Sequence, residues 1–349
     1  EAAAPAAPQG QTRFHRFHGA RGERMNPQRR LCLKLAAAAA ATCATAWPVR
    51  AQDLASARAF ETLDLDWADT RRQRAVPVRL HLPTDASATR PVPLLVFSHG
   101  IGGSRRGYSW LGHHLAGNGI ASLHLQHVGS DRQLWSGSVF GLVGRLQDAA
   151  QAAEALARVQ DLRFALDTLL TSELASRLDA TRIVAAGHSY GANTTLLACG
   201  ARVEREGQVV ALADDRLRAA IVISAPPFYG QPDPTPILQS VTVPSLHVTA
   251  TEDIIRIPGY FSGFEDRVAV FDATGSPQKW LAVYQGGSHS MFTDRGGTGG
   301  ATLNPQVKAA TRALALAFLQ GVFDGEGAAL RQWPQRHGDI LARFTAPGV

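Results

Sequence analysis

The tightest constraint in this sequence is a junction. The apolar run Arg182 to Ala186 passes without a spacer into Gly187-His188-Ser189-Tyr190-Gly191, and a helix-forming stretch, Asn193 to Cys199, follows at once. A strand that enters a helix through so short a link must turn sharply. Glycines at both ends of the link remove the side chains that would collide with neighbouring backbone. A strand–turn–helix of this kind belongs to a chain in which strands and helices alternate, and such chains build a mostly parallel sheet covered on both faces.

The rest of the chain repeats that alternation. Leu94-Leu95-Val96-Phe97 is a continuous apolar run, as a strand buried on both faces requires. A helix is expected near Tyr108 to Ala116, a strand from Ile120 to Val128 and a long Ala-rich helix over Gln147 to Leu170. Further strands are expected at Ala219 to Ile223, Leu246 to Thr249 and Trp280 to Tyr284. A last helix has Asn304 as its expected N-cap, Pro305 at its first position and Gly321 just past its end. Ahead of all these, Leu63 to Trp67 and Val76 to Leu82 alternate apolar and polar residues across a charged turn, Arg71 to Arg74. Period two with polar partners predicts an antiparallel hairpin. The fold class expected is therefore α/β, with an N-terminal antiparallel hairpin leading into the parallel sheet. Hydrophobic residues make up 45% and charged residues 18%, a balance that excludes general disorder.

Net charge is +6, but its distribution matters more. Residues 1–51 carry eight basic side chains and only Glu1 and Glu23 as acids, which leaves 27 of each sign in residues 52–349. The body is neutral, so composition gives no support to nucleic-acid binding. Met25 opens an export pattern: Arg29-Arg30, an apolar Ala-rich stretch from Leu31 to Trp47, then Val49-Arg50-Ala51 with small residues at −3 and −1. Arg29 to Lys34 is also similar to a twin-arginine signal. The expected organisation is an upstream extension (1–24) outside the mature protein, a signal peptide (25–51) and a single domain (52–349). Export to the periplasm or beyond follows, with no membrane span left after cleavage. Only Cys199 would remain, so the mature chain could form no internal disulfide.

The junction also carries chemistry. Ser189 stands where a strained turn exposes a hydroxyl beside a helix N-terminus, whose positive potential favours developing negative charge. A nucleophilic serine needs a base and a group that orients the base. Glu252-Asp253 follows the Leu246 to Thr249 strand, and His289 follows the Trp280 to Tyr284 strand. The order Ser189, Asp253, His289 is that of one convergent triad. Asp253 is the first candidate for the acid. Glu252 is the alternative beside it, and Asp233, in a Pro-rich segment, is a third. Ser98-His99-Gly100-Ile101-Gly102-Gly103 follows the first buried strand, and the N–H groups of Ile101 and Tyr190 are the expected oxyanion donors. This Gly cluster lacks phosphate-loop spacing. Two longer segments, Gly129 to Arg145 and Pro226 to Leu238, carry Trp135, Phe140, Phe228 and Tyr229, which either line a cleft or cover the sheet edge. His113, His114, His124 and His127 show no zinc spacing with a third ligand and read as structural or surface residues. His188 reads as a packing neighbour and Cys199 as a buried helix residue.

With those residues in place, residues 60–325 resemble the α/β-hydrolase superfamily. Phe97 to Ser104, the His127 to Asp131 strand end and the Gly187 to Gly191 elbow resemble bacterial proteins described as dienelactone hydrolases. They also resemble the platelet-activating-factor acetylhydrolase and polyester-hydrolase groups. The resemblance implies carboxylic ester hydrolysis through an acyl-enzyme, without a cofactor; a small-molecule or polymeric ester as substrate, no metal and a monomeric state are the expectations set beside it. It also implies the oxyanion roles for Ile101 and Tyr190. Two departures stand out. Dienelactone hydrolases use Cys where this chain has Ser189, and the acetylhydrolase pattern places its acid where this chain has Ser224-Ala225-Pro226. An amidase or peptidase on the same triad, and a non-catalytic binding protein on this scaffold, are the alternatives.

Overall fold

A computed structural model of the chain describes residues 58–205, 207–228, 233–257, 260–294 and 300–348. The expectations for residues 1–51, and for Tyr229, lie outside these residues. In chain order the strands are β1 (Phe60–Asp69), β2 (Arg74–Pro83), β3 (Val92–Ser98), β4 (Ala121–Leu125), β5 (Leu178–His188), β6 (Arg202–Arg205), β7 (Gln208–Ala211), β8 (Leu217–Ile223), β9 (Ser245–Glu252), β10 (Ile255–Ile257), β11 (Tyr260–Ser262), β12 (Lys279–Ser288) and β13 (Leu341–Thr345). The helices are α1 (Ser109–Gly117), α2 (Leu142–Ala149), α3 (Ala152–Leu170), α4 (Tyr190–Ala198), α5 (Thr235–Leu238), α6 (Phe264–Ala273), α7 (Leu303–Asp324) and α8 (Ala328–Arg336).

Nine strands form one sheet in the order β1-β2-β4-β3-β5-β8-β9-β12-β13. The first two make the expected antiparallel hairpin, with Leu63 opposite Leu80 and Leu65 opposite Val78. β2 runs antiparallel to β4, and every pairing from β4 across to β12 is parallel. This is the α/β-hydrolase fold. Alternation along the central strands divides the core. Leu94, Val96, Ile183 and Ala185 face one side with Leu162 and Leu166 of α3 and Leu196 of α4. Leu95, Phe97, Val184 and Ala186 face the other with Leu111 and Leu115 of α1 and Leu314 and Phe318 of α7. Two buried faces explain the unbroken apolar runs of these strands.

Several boundaries depart from the sequence reading. The long helix is two helices. Gln151 between α2 and α3 is extended (φ −63°, ψ 148°), so no single ladder of hydrogen bonds spans the segment. Its carbonyl accepts the Ala155 N–H at 3.1 Å and the Tyr190 hydroxyl at 3.4 Å. The last long helix begins after Thr302 rather than at an Asn304 cap, and Asn304 is buried inside it. It also continues through Gly321 to Asp324. Gly321 lies inside the helix rather than past its end, and a Cβ there would meet Leu330 and Gly327 at ordinary contact distances of 3.7 and 3.8 Å. The stop is Gly325, at φ 75°. Beyond it, α8 packs Trp333 into the core, where its indole N–H donates to the Ala310 carbonyl at 3.0 Å. β13 then pairs antiparallel with β12. Neither of these elements was expected from the sequence. Cys199 caps α4 and is buried, and burial pushes its thiol up to about 12.

Candidate active site

Three strand ends and one strand-end loop build the site. β5 ends at His188 and α4 begins at Tyr190, so Ser189 is the whole connection, with φ 56° and ψ −123°. A non-glycine residue at positive φ is strained and persists only where its surroundings impose it. The two glycines show how. A Cβ on Gly187 would fall 2.1 Å from the Gly191 carbonyl oxygen, and one on Gly191 would fall 1.9 Å from the Ser98 carbonyl oxygen. Backbone packs against backbone on both sides of the serine.

The structure brings Ser189, His289 and Asp253 together. Ser189 Oγ lies 2.8 Å from His289 Nε2, and His289 Nδ1 lies 2.6 Å from Asp253 Oδ1. Asp253 is fully buried and also accepts the Thr249 hydroxyl at 2.8 Å. Burial alone would raise its carboxyl. His289, then Arg267 and Ser224, outweigh that and hold it well below the usual carboxylate range. The alternatives for the acid are elsewhere. Glu252 is exposed, and Asp233 is an exposed residue that accepts the Thr235 N–H at 2.9 Å. Ser224 stands at the end of β8, where the acetylhydrolase pattern has its acid; it is buried, with φ 53°.

The loop after β3 passes over Ser189. A Cβ on Gly100 would sit 3.2 Å from the Ser189 Cβ. Gly102 N–H donates to the Ser130 carbonyl at 2.8 Å and Gly103 N–H to the Gly100 carbonyl at 3.0 Å. Among the described residues, the Ile101 and Tyr190 N–H groups are committed to no protein acceptor. Trp135 braces the loop from the Gly129 to Arg145 segment, its indole N–H donating to the Gly102 carbonyl at 2.9 Å. Phe140 in the same segment is fully exposed, and Phe228 packs against the core.

One support of this loop, Arg158, had not been singled out in the sequence, and another, His188, does more than the packing expected of it. Arg158, on α3, is fully buried and donates to the His99 carbonyl, to Ser130 Oγ at 2.8 Å and to Thr194 Oγ1 at 2.9 Å. Its guanidinium lies 4.7 Å from the centre of the Tyr190 ring. Burial pulls it down to about 10, so it stays charged at neutral pH. His188 does more than pack. Because the His289 carbonyl is acceptor-only, His188 Nε2–H donates to it at 2.9 Å, and Nδ1 must accept the Tyr108 hydroxyl at 2.9 Å. Tyr108 in turn accepts the Gly100 N–H at 3.3 Å. His188 therefore links the loop to the backbone of His289. Its ring centre is 4.8 Å from that of His289. Burial, then the neighbouring His289, pushes it down to about 3.

Fold and site together define an α/β-hydrolase with a serine at its elbow. Residues 73–133 match the family model of platelet-activating factor acetylhydrolase, isoform II. The matched span runs from the β1–β2 turn through β3, the loop with Ile101 and β4 to the segment after it; it stops before Ser189, Asp253 and His289. No curated protein matches the chain. The family match supports a hydrolase that acts on ester bonds.

Proposed function

We propose that this protein is a serine hydrolase of carboxylic esters, with Ser189 as nucleophile, His289 as base and Asp253 as orienting acid. The observation that carries the proposal is the unbroken relay Ser189 Oγ, His289 Nε2, His289 Nδ1, Asp253 Oδ1, at 2.8 and 2.6 Å, beneath two uncommitted backbone N–H groups.

Ser189 Oγ attacks the acyl carbon while His289 Nε2 takes its proton. The carbonyl oxygen of the ester, now negative, accepts the Ile101 and Tyr190 N–H groups. Asp253 holds Nδ1 protonated, so Nε2 is free to act as base, and its charge stabilises the imidazolium that forms. The imidazolium then gives its proton to the departing alkoxide, which leaves as the alcohol. A water repeats the sequence on the acyl-Ser189 ester, releases the acid and restores the serine. No cofactor enters these steps. The substrate is a small-molecule or polymeric ester, and a monomer holds every group required.

Ser189→Ala tests this directly. Turnover of a p-nitrophenyl ester should fall by roughly 10³–10⁶, and labelling by a fluorophosphonate probe should vanish while the fold persists. Retention of more than about a tenth of the activity would remove Ser189 from the role. Arg29-Arg30, the Ala-rich stretch and Val49-Arg50-Ala51 support export, leaving a mature domain from residue 52. Sequencing of exported protein should give an N-terminus near Gln52; material that still carried residues 1–24 would refute that reading.

A further inference from the structure

We propose that Arg267, on α6, is a positioning residue for the triad acid: a buried cation beside the Asp253 carboxylate that sets how strongly the Asp253–His289 pair binds a proton. The proposal rests on the serine-hydrolase reading above and extends the site to a fourth side chain.

Arg267 is 3% exposed. Its Nη2 lies 3.5 Å from Asp253 Oδ1, the same oxygen that takes the His289 Nδ1–H. Its Nη1 donates to Ser262 Oγ on β11, the last strand of the hairpin that follows Asp253. Nε and Nη2 are buried and make no hydrogen bond among the described residues. A buried guanidinium with one hydrogen bond is a poor packing device, since an apolar side chain of similar volume would avoid the desolvation cost. Its place is explained by charge: Asp253 is a fully buried carboxylate, and Arg267 is a cationic neighbour that shares its Oδ1 with His289.

The consequence concerns the base. A carboxylate shared between two cationic partners stabilises either one less than it would alone. With Arg267 present, the imidazolium gains less from Asp253, and removal of the guanidinium should strengthen the hold of Asp253 on the imidazolium. The other charged or titratable groups around the pair are few. His188 faces His289, Glu252 is exposed beside Asp253, and Tyr260 and Asp266 lie on the Arg267 side. His188 is held neutral by burial and supplies no competing charge.

The test compares the full chain with Arg267→Met and Arg267→Lys. The kcat–pH profile on a p-nitrophenyl ester is one readout. Titration of the His289 ring by NMR in histidine-labelled protein is the other, with the signal assigned by its loss in His289→Gln. In Arg267→Met the acidic limb and the NMR midpoint should both move up by about one pH unit, with KM unchanged. In Arg267→Lys they should remain within about 0.3 of wild type. An unmoved limb and midpoint in Arg267→Met, or an equal move in Arg267→Lys, would overturn the proposal. If Arg267→Met fails to fold, Arg267→Gln carries the same expectation. If neither neutral variant folds while the lysine variant does, the cation serves stability and the proposal falls. Absence of Ser189-dependent turnover in the wild type would instead sink the hydrolase reading, and the NMR titration would still judge Arg267.

Discussion

Mild acid should weaken this fold well before its carboxylates begin to take up protons. His81 on β2, His124 on β4, His188 at the end of β5 and His247 on β9 are each 3% exposed or less. Burial pushes His81 down to about 4 and the other three to about 3. In the unfolded chain each would titrate near 6.5. Between those limits the unfolded state binds protons that the folded state refuses, so stability is full above about pH 6.5 and falls as the pH drops. The loss continues down to about 4 for His81 and about 3 for the others. At pH 5.5, roughly one unit below the unfolded value, each imidazole removes about 1.4 kcal/mol, and four remove about 5–6 kcal/mol. His99 and His127 are displaced in the same direction and add to the loss. A domain whose total stability is about 5–15 kcal/mol would be near its limit. At roughly 2–4 °C per kcal/mol, Tm should fall by about 10–20 °C between pH 7.5 and 5.5. Thermal melts followed by circular dichroism at a series of pH values measure this. A Tm change under about 3 °C over that interval would refute the reasoning, because the four rings would then accept protons in place.

Asp253→Asn should leave the fold intact yet lower kcat by roughly 10⁴, because the amide favours the wrong imidazole tautomer. Glu252→Gln should cost less than about tenfold, and the reverse order in steady-state kinetics would move the acid one residue earlier. Gly191→Ala would place a Cβ 1.9 Å from the Ser98 carbonyl and 2.8 Å from the His99 carbonyl. Relief demands a shift of about 1 Å in the loop over Ser189, so kcat should fall at least about 10²-fold along with Tm; full activity would show that the loop yields elsewhere.

Much of the site was legible because its signals are local. Gly187 to Gly191, the glycines after β3 and the strand ends before Asp253 and His289 each announce themselves within a few residues. The side chains that hold the site together do not. Arg158 lies in an Ala-rich helix that also carries Arg163, where an arginine reads as part of a solvated face. Its partners His99, Ser130 and Thr194 are 28 to 59 residues away in sequence. Arg267 has the same disguise. His188 looked like filler because its two hydrogen bonds go to Tyr108 and to the backbone of His289, 80 and 101 residues distant. Gly321 misled for a related reason. A glycine inside a helix and one that ends it look alike in sequence; here Gly325, at φ 75°, takes the left-handed turn. The break at Gln151 carries neither Gly nor Pro, so nothing local marks it.

The order in which the sheet is assembled has a consequence for synthesis. β12, the strand that leads to His289, is flanked by β9 on one side and by β13 on the other. β13 comes from residues 341–345, 52 to 56 residues after the histidine. During vectorial translation the serine and the acid can be docked while that strand still offers an open ladder of N–H and C=O groups. An unfinished edge is a template for wrong partners. Nascent chains stalled between residues 290 and 340 would therefore be the species most exposed to strand exchange. Any export route that accepts only finished domains would have to wait for the last short strand to cover β12.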